Sequence, residues 1–164
     1  MRKNTELHLY YGANNPILWN RTVSDHEVPS LTPAEAHQLL SDQPAAVLID
    51  VRSNMEFLFV GHPQGALHVP WIDEPDWNIN PDFVRDVRKV VLGGSGPASS
   101  FESVAVVLIC RSGKRSLEAG KQLVLEGFTN VYNVSEGFEG GLDGNHHRSA
   151  EGGWRYHNLP WEQC

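Results

Sequence analysis

The chain has 164 residues but only two cysteines, Cys110 and Cys164. That is too few for a disulfide framework, and a free thiol fits a reducing compartment. Arg2 and Lys3 are not followed by the apolar run of a secretory leader, and no stretch approaches membrane-spanning length. The expectation is a soluble, cytoplasmic protein with no membrane partner. Cations are scarce, 13 Lys and Arg against 20 Asp and Glu, and the net charge of −7 argues against a nucleic-acid partner. No internal repeat is visible. Gly93-Gly94-Ser95-Gly96-Pro97 lacks the lysine and the helix that follow a phosphate loop, so it reads as a flexible linker. His146, His147 and His157 have no acidic or cysteine partner at ligand spacing, and no metal site is expected. Asn20-Arg21-Thr22 and Asn133-Val134-Ser135 match a glycosylation sequon, but without a secretory signal both read as chance matches. The length suits one domain with a real core, and 40% hydrophobic and 20% charged residues are ordinary for a globular chain.

Against that background Cys110-Arg111-Ser112-Gly113-Lys114-Arg115-Ser116 stands out, with three cations in six residues after a cysteine. The preceding run, Val104 to Ile109, is apolar and β-branched and reads as a buried strand. The following run, Leu117 to Glu126, has apolar residues at helical spacing and stops at Gly127. A cysteine therefore ends a strand, and a helix N-terminus closes a short basic loop. Thiolate is the nucleophilic form of cysteine, and Arg111, Lys114, Arg115 and the helix end all favour it. Gly113 allows a tight turn in which successive N–H groups point at one anion. Such a loop suits a small anionic substrate.

The rest of the chain builds a frame for this loop. Residues 1–30 carry little pattern. Thr32-Pro33-Ala34-Glu35 is a capping box with proline at the first helical position, predicting a helix to about Ser41 that buries Ala36, Leu39 and Leu40. Ala46 to Val51 reads as a strand buried on both faces. Ser53-Asn54-Met55-Glu56 is a second capping box, opening a short helix through Val60 that ends at Gly61-His62. Ala66 to Pro70 and Asn130 to Val134 are two more strands. Asn80-Pro81 opens a helix with Phe83, Val84, Val87, Val90 and Val91 on one face. Strand–helix–strand units of this size imply parallel pairing with right-handed crossovers. The predicted class is α/β, an open parallel sheet with helices on both faces, the active loop sitting at the C-terminal end of a central strand.

Leu48-Ile49-Asp50-Val51-Arg52, Glu56-Phe57, Gly61-His62, Gly65-Ala66, Pro70, Cys110 to Ser116 and Gly137 occur in the order seen in single-domain rhodaneses, the thiosulfate sulfurtransferase family, which the chain resembles over about residues 30–142. On that basis 1–29 is an N-terminal extension, and 143–164 a C-terminal tail packing its aromatics on the domain. The resemblance implies that Cys110 is the nucleophile, taking sulfane sulfur from a donor to become a persulfide. It implies that main-chain N–H groups from Arg111 to Arg115, through Ser112, Gly113 and Lys114, cradle the persulfide and the donor's oxyanion. Arg111 and Lys114 would bind the sulfonate end of a donor such as thiosulfate, Arg115 would do so too or brace the loop, and Ser116 closes the substrate-binding set. Asp50, Arg52, Glu56 and His62 would support the site. The acceptor would be cyanide or a thiol, including a protein thiol, and no cofactor is implied. One departure is local: the family's Gly-His-Ile-Pro-Gly-Ala reads here Gly61-His62-Pro63-Gln64-Gly65-Ala66.

Two other functions compete. Phosphatases and arsenate reductases on the same fold carry five residues between cysteine and arginine, whereas four separate Cys110 from Arg115, a tighter loop that fits sulfur better than a tetrahedral phosphate. A binding module, or a persulfide carrier serving a partner protein, would turn small donors over poorly. Cys164 has no motif around it and reads as incidental.

Overall fold

The computed structural model describes residues 27–94 and 104–164. The elements in chain order are β1 (Ser30–Leu31), α1 (Pro33–Asp42), β2 (Val47–Asp50), a π-helical turn (Glu56–Val60), β3 (His62–Pro63), β4 (Leu67–His68), α2 (Phe83–Gly94), β5 (Val106–Ile109), α3 (Lys114–Leu125), β6 (Val131–Val134) and β7 (Trp161–Glu162). Five strands form one sheet in the order β1-β6-β5-β2-β4, every neighbouring pair parallel. β5 is thus the middle strand, flanked by β2 and β6, and the cysteine loop leaves its carboxyl end.

Alternation along β5 divides the core. Val106 and Leu108 join Phe83, Val87 and Val91 of α2 and Ala119 and Leu123 of α3 on one face. Val107 and Ile109 join Ala36 and Leu39 of α1 on the other, with Phe138 and Trp154. Burial on both faces is why these strands read as nearly continuous apolar runs.

The local signals act through the hydrogen bonds they predict. The Glu35 N–H donates to Thr32 Oγ1 and the Thr32 N–H to Glu35 Oε2, at 3.3 and 2.8 Å, so the first capping box is closed from both sides. The second is closed likewise, Ser53 N–H to Glu56 Oε2 at 3.2 Å and Glu56 N–H to Ser53 Oγ at 3.3 Å. The helix it opens widens into a π turn rather than a regular α-helix, and its carbonyls are taken by side chains from outside. Phe57 accepts from His62, Phe59 from Gln163 and Val60 from Arg155. Asn80 caps the approach to α2 through its Oδ1, which accepts from the Asp82 N–H at 2.9 Å. Gly93 and Gly94, read as the start of a linker, form the last residues of α2, and the rest of that run, from Ser95, lies outside the described residues.

Three strands, β1, β3 and β7, carry no local signal. β1 pairs with β6, and β7 pairs antiparallel with β3 in a small separate ribbon, Pro63 opposite Trp161. The shifted proline does not break this ribbon. Pro63 starts a turn closed by Ala66 N–H to Pro63 O at 3.1 Å, with Gly65 at φ +76°.

Candidate active site

Cys110 follows β5 directly, and its side chain is buried, 1% exposed. The chain then turns through Gly113, which has φ +86° and serves as the cap of α3. No other residue fits there: a Cβ at Gly113 would lie 2.0 Å from the Ser135 carbonyl oxygen. The Gly113 N–H donates to Cys110 Sγ at 3.2 Å, and Ser116 Oγ, in the first turn of α3, lies 3.2 Å from the same sulfur. The sulfur therefore faces a backbone donor and a hydroxyl where α3 presents its unpaired N–H groups.

The three cations of the loop divide by role. Arg111 and Lys114 are exposed and take no ion pair among the described residues. Arg115 is held: Nη1 and Nη2 donate to the two Glu56 carboxylate oxygens at 2.7 and 2.6 Å. Burial alone would raise the Glu56 carboxyl, but the Arg115 hydrogen bond and charge, with help from the Ser53 N–H and the charge of Arg52, hold it below its ordinary value. Arg115 is pushed up in turn, first by its hydrogen bond to Glu56. The π turn is thereby locked to the active loop.

Asp50 and Arg52 lie beneath, both fully buried. Arg52 Nη2 donates to Asp50 Oδ2 and to the Gly61 carbonyl, each at 2.6 Å, and the guanidinium sits 4.4 Å over the Phe138 ring. Phe138 is where this pair meets the loop, because its N–H donates to the Cys110 carbonyl at 2.8 Å while the Glu139 N–H donates to that of Arg111 at 3.0 Å. Gly137 makes this approach possible, as a Cβ there would stand 2.5 Å from the Cys110 oxygen. His62 lies apart from this group. Its ring stacks on Phe57 at 3.7 Å and its Nε2 is 3.4 Å from Glu162 Oε1, so it joins the π turn to β7.

Asn133 belongs to the site although its sequence context is only a strand. It is 2% exposed on β6, and its Oδ1 lies 2.6 Å from Ser116 Oγ, the same oxygen that stands 3.2 Å from the sulfur. The one available signal was an amide inside the apolar run Val131-Tyr132-Asn133-Val134, since a buried polar side chain demands a partner. The same burial removes Asn133 as a glycosylation acceptor in the folded chain. No group of three or more His, Cys, Asp or Glu able to hold a metal occurs among the described residues. None of the described helices is long and apolar enough to cross a membrane.

The arrangement, a buried sulfur beside one backbone N–H and a hydroxyl, with two exposed cations in the loop that take no ion pair among the described residues, suits nucleophilic attack. Known proteins agree with that chemistry in general. The Rhodanese-like domain family profile matches residues 32–143. The crystal structure of Rv0390 from M. tuberculosis is similar at TM-score 0.68 and 38% identity, covering 84% of this chain and 99% of that one. The polysulfide-sulfur transferase homodimer of Wolinella succinogenes is similar at TM-score 0.50 and 25% identity, over 84% and 80%. Among curated proteins, the thiosulfate sulfurtransferase GlpE of Haemophilus influenzae is 28% identical over 67% of this chain and 84% of its own. These likenesses support sulfurtransferase-type activity, and with its parallel α/β sheet the chain belongs to the rhodanese-like domain family.

Proposed function

We propose that the chain moves sulfane sulfur from a small anionic donor such as thiosulfate to cyanide or a thiol, through a persulfide on Cys110. The Cys110 thiolate attacks the outer sulfur of thiosulfate, the S–S bond breaks, and sulfite leaves with the bonding pair. The acceptor thiolate or cyanide then attacks the outer sulfur of the persulfide, and the Cys110 thiolate departs. Neither displacement needs a general base once the thiolate exists. Arg111 and Lys114 bind the donor's sulfonate, the loop N–H groups stabilise the leaving sulfite and the persulfide anion, and Glu56 spends Arg115 on bracing rather than on the substrate.

The observation that carries this reading is the pairing of Cys110 Sγ with the Gly113 N–H and the Ser116 hydroxyl, in a loop whose Arg111 and Lys114 are exposed and take no ion pair among the described residues. Intact mass after adding thiosulfate tests it. The wild type should gain about 32 Da, one sulfur, reversed by cyanide and absent in Cys110→Ala. A wild type without the adduct sinks the proposal, and a phosphate-ester assay on the same sample then separates a phosphatase from a binding module.

A further inference from the structure

Ser116 Oγ carries one proton and has two buried acceptors for it, Cys110 Sγ at 3.2 Å and Asn133 Oδ1 at 2.6 Å. The chain continues outward, since Asn133 Nδ2 donates to Ser30 Oγ at 3.0 Å. Ser116 is fully buried and Asn133 nearly so, so no solvent competes for these groups. Both contacts are of hydrogen-bond length for their acceptors, so one proton serves two partners, and when the hydroxyl turns to Asn133 the Gly113 N–H is left as the sulfur's donor.

From this geometry we infer that Asn133 is a positioning residue that sets the charge state of Cys110 by competing with its sulfur for the Ser116 proton. With the hydroxyl turned to Asn133, a neutral thiol donates its own proton to Ser116 Oγ and every group in the chain is satisfied. A thiolate gains the hydroxyl as a second donor beside the Gly113 N–H only if the hydroxyl rotates onto sulfur, which strips Asn133 Oδ1 of its buried donor. The amide therefore competes with the thiolate for its second hydrogen-bond donor. Persulfide formation moves the negative charge to the outer sulfur, and the Ser116 proton returns to Asn133.

This deepens the sulfurtransferase reading and rests on Cys110 reacting as thiolate, but its test needs no sulfur donor, so the two can fail separately. The rate of Cys110 alkylation by iodoacetamide is measured against pH in three proteins, the loss of Cys110 identified by peptide mass. Asn133→Leu removes the competitor, frees the hydroxyl for sulfur, and should shift the midpoint of the profile down by about one pH unit. Asn133→Asp keeps the hydroxyl and adds an anion, and should shift it up by at least as much. Mere disturbance of the fold would move both in the same direction, and near-UV circular dichroism shows which variants are folded. Two unmoved profiles overturn the inference. So do two upward shifts, which would mean that the amide presents its NH₂ to Ser116 and assists the thiolate. If Asn133→Leu fails to fold, Asn133→Val takes its place with the same expected downward shift, and an unmoved or upward profile in it overturns the inference.

Discussion

Arg111, Lys114 and Arg115 are one cluster in sequence and two functions in space. A free cation at an exposed rim attracts a small anion through a screened field, so its effect should fall with salt. Arg111→Ala and Lys114→Ala are each expected to lower kcat/KM for thiosulfate about tenfold at low ionic strength, and less at high salt. Steady-state kinetics at two salt concentrations reads this, and a double variant with wild-type KM would remove both residues from donor binding. Arg115 cannot serve in the same way while Glu56 holds it. Glu56→Gln should cost about 2 kcal/mol at pH 7, because it breaks a half-buried charged pair. The folded Glu56 carboxyl titrates below its ordinary value of 4.5. Its contribution is therefore full above that value and is lost as the pH falls through the folded one. Urea titrations of wild type and variant should diverge at pH 7 and converge as the pH falls through the lowered titration of the folded carboxyl. A constant gap across that range would show that the charge is not what stabilises the pair.

At the scale of elements, the loop is held from below by two backbone contacts that leave no room for a side chain. Gly113→Ala forces a Cβ toward the Ser135 carbonyl at φ +86°, and Gly137→Ala forces one into the Cys110 carbonyl. Each should cost roughly 3 kcal/mol or more, and the persulfide adduct should be lost in molecules that remain folded. Calorimetry and intact mass on the same samples check both halves, and a Gly113→Ala protein that melts and loads sulfur like wild type would show the cradle to be yielding. These contacts also mark the limit of what local sequence conveys. Both capping boxes, the buried strands and the basic loop were legible because each rests on residues within a turn of one another. The π turn was not, since two of its carbonyls accept from Arg155 and Gln163, about a hundred residues away. Nor was the place of Asn133, whose partner, Ser116, lies on another element.

Over the whole molecule the least legible part was the C-terminal stretch, where no periodicity announces what the aromatics do. Trp154 is 2% exposed, its backbone N–H donates to the Gly137 carbonyl at 2.9 Å, and its indole Nε1–H donates to the Pro160 carbonyl at 2.8 Å. Beside it the Gly153 N–H donates to Glu136 Oε2 at 2.7 Å, and the Arg155 N–H to the Phe138 carbonyl at 3.2 Å. The segment therefore braces the 136–139 turn, and that turn in its turn holds the carbonyls of Cys110 and Arg111. A chain of backbone bonds runs from the tail to Cys110. Trp154→Ala should cost about 3–5 kcal/mol for the cavity it leaves. If the brace matters for chemistry, sulfur transfer per folded molecule should also fall several-fold, well below the melting temperature. Trp154→Phe keeps most of the packing and loses only the indole hydrogen bond, so it should cost about 1 kcal/mol and keep near-normal transfer. Transfer rates measured about 20 °C below each variant's melting midpoint separate the two effects. A Trp154→Ala protein that is less stable but transfers sulfur at the wild-type rate would confine the tail to holding the fold together and release the loop from its control.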